Sequence, residues 1–268
     1  MTIPAIEVDG LSVRFPIRGG VLGKVKDYFV AVDNVSFVLP QGKILAVVGE
    51  SGCGKSTLVK SLVGLVPMAS GSFKLFGKSV KDGKWSDGSK GSEKRACDLM
   101  QMIFQDPFSS LNPRQTITEI LTSPLMARGV SYSDACARAR GMLDRVSIPS
   151  LAMEKFPHEF SGGQRQRLCI ARSLMVEPKV LLCDEVTSAL DVSVQAQILH
   201  LLDDLRNELG LSIIFISHDM QVVRALSDEV LVMYFGHVVE HGPADKVLVE
   251  PQHEYTRKLL ASVPTIKR

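Results

Sequence analysis

The sequence contains no long apolar run and no cysteine pairing pattern. No stretch of the 268 residues approaches the roughly 18 consecutive apolar residues that a membrane-spanning helix needs. The N-terminal segment also lacks the basic and then apolar sequence of a secretory signal. The five cysteines form no Cys-x-x-Cys pair and do not cluster with histidines at metal-ligand spacing. We therefore expect a chain of a reducing, cytoplasmic compartment, without a disulfide framework or a zinc site.

The chain also lacks an excess of charge of either sign. It carries 31 basic and 29 acidic residues, which gives a formal net charge of +2. Domains that bind nucleic acid usually have a strongly basic surface, so this balance gives no reason to expect a nucleic-acid partner. The apolar residues make up 45% of the chain, enough for a sizeable core. The length suits one large α/β domain with a subdomain.

A glycine-rich segment is the most informative feature that is present. Residues Gly49–Ser56 match the pattern G-x-x-x-x-G-K-S, between the apolar run Ile44–Val48 and an amphipathic helical segment. The glycines let backbone N–H groups approach a polyphosphate, and the helix N-terminus adds partial positive charge. Lys55 can reach the β- and γ-phosphates, and the Ser56 hydroxyl can bind Mg²⁺. The residues predicted to bind nucleotide here are Gly49, Glu50, Ser51, Gly52, Cys53, Gly54, Lys55, Ser56 and Thr57.

Two carboxylates follow a second apolar run. Val180–Cys183 is typical of a buried strand, and it leads directly into Asp184 and Glu185. In this position Asp184 can help to hold Mg²⁺, and Glu185 can orient and deprotonate an attacking water. The alternative is a pair of acidic residues in an ordinary solvated turn, because acidic residues often follow strands.

Ser161, Gly162, Gly163 and Gln164 form a further candidate site. Ser161 can cap a helix that runs from about Gln164 to Val176, and a Ser-Gly-Gly sequence at a helix N-terminus can bind a second anion. Taken alone, the segment could also be an ordinary capped helix.

The rest of the chain has α/β organisation. Apolar alternation predicts strands at Ile6–Phe15 and Val30–Leu39, with a Gly- and Lys-rich loop at Pro16–Lys26 between them. The polar segment Lys78–Arg95 predicts a mobile surface insertion. The periodicity becomes helical from Thr116 to Val176, and strands then alternate with helices again. This pattern predicts an α/β core with a helical insertion.

The motifs, in their order, resemble the ATP-binding cassette (ABC) ATPase family. They are Gly49–Ser56, Gln105, Ser161–Gln164, Asp184–Glu185, Ser188–Asp191 and His218. The resemblance covers roughly Ile6 to Pro264. It implies a P-loop NTPase fold with a RecA-like core, an N-terminal antiparallel β subdomain and an inserted α-helical subdomain. The whole chain, 1–268, would be a single ABC ATP-binding domain, with the helical subdomain at about 106–176 and a C-terminal tail at about 243–268.

The resemblance also implies a shared active site, in which two cassettes pair head to tail around ATP and Mg²⁺. Gln105, Glu185 and His218 would be catalytic, with His218 at the γ-phosphate. Asp191 would cross the interface between the cassettes. The implied metal ligands are Ser56, Gln105 and Asp184. The residues that would face the partner's nucleotide are Ser161, Gly162, Gly163 and Gln164.

An aromatic side chain from the N-terminal strands is expected to stack on the adenine. Phe15 is the first choice, because it ends the first predicted strand as in the family, and Tyr28 is the alternative. Ordinary core packing is the other interpretation of both residues.

Two longer segments, Met102–Arg114 and Pro251–Leu260, are similar to the oligopeptide, dipeptide and nickel importers of this family. That branch implies an ATPase subunit at the cytoplasmic face of the inner (plasma) membrane, bound peripherally. Its partners would be transmembrane permease subunits, a second ABC ATPase subunit (itself or a related chain) and, indirectly, a substrate-binding protein. Peptides lead as cargo, with nickel or another small solute as alternatives. A soluble ABC-type ATPase that acts on non-membrane partners is the competing hypothesis.

Overall fold

The computed structural model of the protein describes residues 3–19, 24–81, 83–85 and 94–261. In these ranges the strands are β1 (Ile6–Gly19), β2 (Lys24–Leu39), β3 (Ile44–Val48), β4 (Ser70–Leu75), β5 (Lys78–Lys81), β6 (Lys84–Trp85), β7 (Lys94–Arg95), β8 (Met100–Ile103), β9 (Val180–Asp184), β10 (Ser212–Ile216), β11 (Glu229–Tyr234) and β12 (His237–Pro243). The helices are α1 (Lys55–Leu62), α2 (Pro107–Ser110), α3 (Ile117–Met126), α4 (Tyr132–Arg145), α5 (Gly162–Leu174), α6 (Val192–Leu209), α7 (Met220–Leu226), α8 (Ala244–Val249) and α9 (Glu254–Ala261). None of these described helices combines the length and the apolarity that crossing a membrane requires.

The described strands form two sheets. The first is antiparallel, in the order β2-β1-β4-β5-β6-β7, and the second has the order β12-β11-β3-β10-β9-β8. In the second sheet β3 and β8 to β11 run parallel, and only β12 is antiparallel to its neighbour. This combination confirms the predicted α/β core with an N-terminal antiparallel β subdomain.

The central parallel strands are buried on both faces. Every residue of β3, β9 and β10 is buried, which explains why their sequences are nearly continuous apolar runs. In the register between them, Ile213 lies beside Ile44 and Ser212 beside Val180. Because parallel strands end at the same edge of a sheet, the segments that follow β3, β9 and β10 meet there. The glycine-rich loop, the two carboxylates and His218 are therefore brought to one side of the sheet.

The N-terminal hairpin is longer than the sequence predicts. Pro16–Gly19 and Lys24–Lys26 were predicted as loop, but they extend β1 and β2, with Ile17 opposite Asp27. Pro16–Arg18, Val25 and Lys26 are exposed, so this part of the hairpin lacks the alternation of buried and exposed residues that identifies a half-buried strand. Residues 20–23 of the predicted loop lie outside the described part of the chain.

The polar segment Lys78–Arg95 also differs from its prediction. Lys78–Lys81, Lys84–Trp85 and Lys94–Arg95 continue the antiparallel sheet beyond β4, so these residues are strands rather than a surface insertion without regular structure. Residues 82 and 86–93 lie outside the described residues.

Helices α2 to α5 lie between β8 and β9, and α3 to α5 fall within the range that the helical periodicity predicts. Their N-termini are defined by side-chain caps: Thr116 forms a reciprocal capping box with Glu119 at α3, and Ser131 caps α4. The apolar faces of α3, α4 and α5 pack together in one buried cluster that continues to the inner face of β9. This contiguous packing holds the helices in a fixed position relative to the sheet.

The last helices pack on one face of the second sheet, over β3 and β11. Helices α7, α8 and α9 share a buried cluster with β3 and β11, in which Tyr255 of α9 is buried and against which Leu259 and Leu260 pack. The turn between β11 and β12 has positive φ at both Phe235 and Gly236, the backbone of a two-residue hairpin turn. The backbone N–H of Gly236 donates to the Cys53 carbonyl, so this turn supports the glycine-rich loop.

Candidate active site

The glycine-rich loop packs so closely that two of its glycines cannot be replaced without strain. Gly49 has φ 148° and Gly54 has φ 108°, both in the region that favours glycine. A Cβ atom on Gly49 would lie 2.2 Å from the Met233 carbonyl oxygen, and one on Gly54 would lie 2.3 Å from that of Ala31. Gly54 directly precedes α1, so the loop leads into a helix N-terminus that favours anions.

Lys55 extends back across this loop. Its side chain is 5% exposed, and its Nζ donates to the carbonyl oxygens of Gly49 at 2.8 Å and of Glu50 at 2.7 Å. Among the described residues no carboxylate pairs with this ammonium, so its charge faces only carbonyl dipoles and the Cys53 sulfur at 3.7 Å. Burial raises the pKa of the Cys53 thiol, although Lys55 lowers it, so the thiol stays neutral. A buried ammonium without an anionic partner suits a phosphate group.

Ser56 and Asp184 form a pair of oxygen donors beside the loop. The Ser56 Oγ donates to the Asp184 Oδ1 at 2.7 Å, and the Lys60 Nζ lies 3.8 Å from the Asp184 Oδ2. The Asp184 residue is only 3% exposed. Hydroxyl and carboxylate oxygens are the ligands that Mg²⁺ prefers, so the residues present fit the ion. When bound by Ser56 and Asp184, Mg²⁺ would offset the negative charge of the phosphates.

Polar side chains surround the Glu185 carboxylate. The Gln105 Nε2 donates to the Glu185 Oε2 at 2.8 Å, and the His218 Nδ1 lies 3.9 Å from the same oxygen. Ser188 donates to the Glu185 backbone carbonyl at 2.9 Å. Glu185 has φ 49°, which is uncommon for a residue with a side chain and which places its carboxylate beside Gln105 and His218. The arrangement can hold and deprotonate a water molecule.

The Ser161–Gln164 segment forms the predicted helix cap. The Ser161 Oγ accepts from the Gln164 backbone N–H at 3.4 Å, and the Gln164 Oε1 accepts from the Ser161 N–H at 3.0 Å. A Cβ atom on Gly163 would lie 2.5 Å from the Val194 Cγ1, so α5 and α6 approach each other closely here. The helix begins at Gly162, two residues before the predicted start at about Gln164.

This capped segment does not join the loop of its own chain. In the described part of the protein, no hydrogen bond or ion pair connects Ser161–Gln164 or Asp191 with residues 49–57. Asp191 precedes α6 without a side-chain cap bond, and the neighbouring Val192 is 83% exposed. The structure brings together the loop, Asp184, Glu185, Gln105 and His218, and leaves these two predicted segments on the surface.

The two adenine candidates lie on opposite faces of the β1–β2 hairpin. Phe15 is paired with Phe29, and the next pair is Pro16 with Tyr28. Because successive residues of a strand point to opposite faces, Phe15 and Phe29 share one face and Tyr28 belongs to the other. All three side chains are exposed. Phe29 is not among the residues predicted from the sequence, and only its cross-strand pairing with Phe15 identifies it.

Two contacts of the site were missed from the sequence. The Tyr255 hydroxyl accepts a hydrogen bond from the Glu50 backbone N–H at 2.9 Å. Lys60 approaches Asp184 and lines a cavity of about 400 Å³ together with Gln105 and Arg172. Lys60 lies one helical turn beyond Ser56, so its position on α1 could have indicated this contact. The contact between Glu50 and Tyr255 could not be predicted from helical spacing, because the two residues are 205 positions apart.

Comparisons with known proteins agree with this geometry. The family model described as ABC transporter matches residues 32–188. The chain is 47% identical over 262 residues to the glutathione import ATP-binding protein GsiA of Salmonella paratyphi A, covering 97% of this chain but only 41% of that protein. It is 46% identical over 269 residues to the oligopeptide transport ATP-binding protein OppF of Escherichia coli, covering 97% of this chain and 77% of that protein.

A solved structure shows the same fold. The cbiO1 protein of Clostridium perfringens, described as part of the ABC transporter complex cbiONQ, superposes with a TM-score of 0.76 at 27% sequence identity, covering 97% of this chain and 96% of cbiO1. The predicted resemblance is thereby confirmed. The chain belongs to the ABC transporter family.

Proposed function

We propose that this chain is the ATP-binding and ATP-hydrolysing subunit of an ABC importer, with Mg²⁺ as its metal cofactor. One observation carries the proposal: the Ser56–Asp184 and Gln105–Glu185 hydrogen bonds bring the loop, the metal ligands and the candidate base to one edge of the parallel sheet. Lys55 and the loop N–H groups bind the phosphates, and Glu185 takes the proton of the attacking water. His218 donates to the γ-phosphate.

The site needs a second ATPase subunit. Ser161–Gln164 and Asp191 lie on the surface, away from the chain's own phosphate loop, and the N-terminus of α5 offers N–H groups to an anion. Two subunits in a head-to-tail arrangement would each supply this helix N-terminus to the nucleotide on the other. The second subunit is a copy of this chain or a related one.

The permease contact is proposed at a groove beside Gln105. A groove of about 300 Å³ lies between β8, α3 and α5, and it is lined by Leu65, Met102, Phe104, Pro124 and Arg128 among others. Phe104 directly precedes Gln105, so a permease segment in this groove could move the amide that bonds Glu185. This contact would place the protein peripherally at the cytoplasmic face of the inner membrane.

Peptides are the proposed cargo. GsiA is described as a glutathione import protein and OppF as an oligopeptide transport protein, and both cargoes contain peptide bonds. The permeases and a substrate-binding protein would select the cargo, since the site of this chain recognises only nucleotide.

The test combines ATP hydrolysis with membrane association. The full chain is co-expressed with candidate permease subunits, and the membrane complex is assayed for peptide-stimulated ATP hydrolysis. The Lys55→Ala variant should lose ATP binding, whereas Lys74→Ala should behave as wild type, because Lys74 forms an exposed surface ion pair with Glu7. Nickel and sugars serve as competing cargoes.

Two results would contradict the proposal. Unchanged ATP binding by Lys55→Ala would remove the phosphate role, and a chain that never co-purifies with permeases would favour non-membrane partners. Stimulation by nickel but not by peptides would change the cargo alone.

A further inference from the structure

The C-terminal helix α9 makes a direct bond to the phosphate loop. The Tyr255 hydroxyl lies 2.9 Å from the Glu50 backbone nitrogen and accepts its N–H, although the two residues are 205 positions apart. Tyr255 is buried, and its ring lies against Tyr234 with 4.1 Å between ring centroids. Burial raises the pKa of Tyr255 above its ordinary value of 10, so the hydroxyl stays protonated at neutral pH.

The donor of this bond, the Glu50 N–H, belongs to a rigid peptide unit whose carbonyl contacts Lys55. The Glu50 N–H and the Gly49 C=O are the two polar groups of one planar trans peptide, so they point in opposite directions. At the opposite edge of the same peptide unit, the Gly49 carbonyl oxygen accepts from the Lys55 Nζ at 2.8 Å. Tyr255 and Lys55 therefore bind the two opposite edges of one peptide unit.

The Gly49–Glu50 peptide can rotate readily, because it follows a glycine, unless hydrogen bonds restrain it. Glycine has a broad range of allowed backbone dihedrals, and Gly49 is at φ 148°. A rotation of the Gly49–Glu50 peptide would turn the Gly49 carbonyl away from Lys55 and move the ammonium. The Tyr255 hydroxyl opposes that rotation.

Tyr255 is itself held by the tail that precedes α9. The Glu240 carboxylate of β12 accepts the backbone N–H groups of Gln252 at 2.8 Å and His253 at 3.0 Å. The Tyr255 backbone N–H donates to the His253 Nδ1 at 3.1 Å. The position of the Tyr255 hydroxyl therefore depends on the contact between Glu240 of the sheet and the segment before α9, as well as on α9 itself.

We propose that Tyr255 is a positioning residue for nucleotide binding, because its hydroxyl fixes the Gly49–Glu50 peptide and through it the Lys55 ammonium. This inference rests on the proposed ATP-binding function. Lys55 contacts the phosphates before and during the reaction, so the loss of its positioning weakens ATP binding more than it slows the chemical step.

The test replaces only the hydroxyl. Tyr255→Phe keeps the ring contact with Tyr234, and Tyr234→Phe is the matched control, since the Tyr234 hydroxyl bonds no described residue. The full chain is titrated with ATP, hydrolysis is measured for kcat and KM, and amide hydrogen exchange is followed in the peptide that contains Glu50.

We expect Tyr255→Phe to raise the Kd and the KM for ATP about fivefold, the effect of one lost hydrogen bond, with kcat within about twofold. Exchange of the Glu50 amide should accelerate by a similar factor. Tyr234→Phe should match wild type in all of these measurements. If Tyr255→Phe leaves both affinity and exchange unchanged, or if Tyr234→Phe alters them equally, the positioning role is refuted. A wild-type chain that binds no ATP would instead refute the proposed function, and the exchange measurement would still test the peptide contact.

Discussion

The Gln105 side-chain amide donates to the Glu185 carboxylate at 2.8 Å and thereby joins the segment after β8 to the end of β9. The two residues lie 80 positions apart. The bond leaves the Glu185 carboxylate with further acceptor capacity, because a carboxylate has about four lone-pair sites. Glu185 can therefore accept a water proton while Gln105 keeps its orientation.

The first prediction concerns this carboxylate. Glu185→Gln should lower kcat for ATP hydrolysis at least about a hundredfold, because an amide cannot act as the base. The affinity for ATP should not fall, since the variant keeps the shape of the side chain and removes a negative charge that repels the phosphates. Phosphate release and equilibrium binding measure the two quantities. Glu208→Gln, at an exposed surface ion pair with Arg145, is the matched control.

A Glu185→Gln protein that hydrolyses ATP within about tenfold of wild type would assign the base to another residue. The same variant should dimerise in Mg²⁺ and ATP by light scattering, because the nucleotide stays bound between the subunits.

The second prediction separates the adenine candidates. Phe15→Ala should raise the Kd for ATP about tenfold, the effect expected for one lost base–aromatic stack, whereas Tyr28→Ala on the opposite face should change it less than about twofold. Inorganic triphosphate has no base, so its affinity should be the same in both variants. Fluorescence titration with each ligand gives the comparison. An equal loss of triphosphate affinity in Phe15→Ala would indicate a distorted loop and not a lost stack.

Much of the fold could be predicted because local sequence and burial agree. Ile44–Val48 and Val180–Asp184 are buried on both faces, so apolar runs identify them, and Ser131 and Ser161 cap their helices as their side chains predict. The extension of β1 and β2 could not be predicted, because Pro16–Arg18, Val25 and Lys26 are exposed and only the cross-strand pairing defines these residues as strand.

The functional site also has parts that the sequence predicts and parts that it does not. The motif order brings Gln105 and Glu185 to one edge of the sheet, as parallel strands require. The Tyr255–Glu50 bond depends on how α9 packs against β11, and no local pattern encodes the distance between them. The pairing of Phe29 with Phe15 likewise follows from a register that a hairpin with bulges does not reveal in its sequence.

The third prediction concerns the two glycines at the start of α5. Gly163→Ala should destabilise the fold by about 1–3 kcal/mol, because the new Cβ would lie 2.5 Å from the Val194 Cγ1 and the branched side chain of Val194 has few rotamers to escape into. Gly162→Ala should be tolerated, since its nearest neighbour is the Leu190 Cδ2 at 3.5 Å. Thermal unfolding measures both changes.

A double variant tests the contact itself. Val194→Ala in the Gly163→Ala background should restore most of the lost stability, and the coupling energy of the cycle should be about 1 kcal/mol or more. Additive effects would show that Gly163 is needed for another reason. Gly162→Ala should lower ATP hydrolysis despite its normal stability, because its methyl group would lie on the surface proposed to meet the nucleotide of the second subunit.

The fourth prediction concerns pH and the Glu240 carboxylate that holds the C-terminal tail. Burial alone would raise the pKa of Glu240, but the N–H donors of Gln252 and His253 hold it below its ordinary value of 4.5. A carboxyl whose pKa is lowered on folding stabilises the protein above the unfolded pKa and loses that contribution as the pH falls through the folded pKa. Glu240→Gln should therefore cost about 1 kcal/mol at pH 7, and its difference from wild type should shrink below about pH 4.

Urea unfolding of both proteins at pH 7 and pH 3 measures that difference, and global acid effects cancel because they act on both. Glu250→Gln is the control, since this exposed carboxylate bonds no backbone amide in the part of the chain that the structure describes. Because Glu240 fixes the segment before Tyr255, Glu240→Gln should also weaken ATP binding at pH 7, and the hydroxyl-free Tyr255→Phe background should abolish that second effect. A Glu240→Gln variant that weakens ATP binding equally in both backgrounds would show that the tail acts on the nucleotide by a route other than the Glu50 amide.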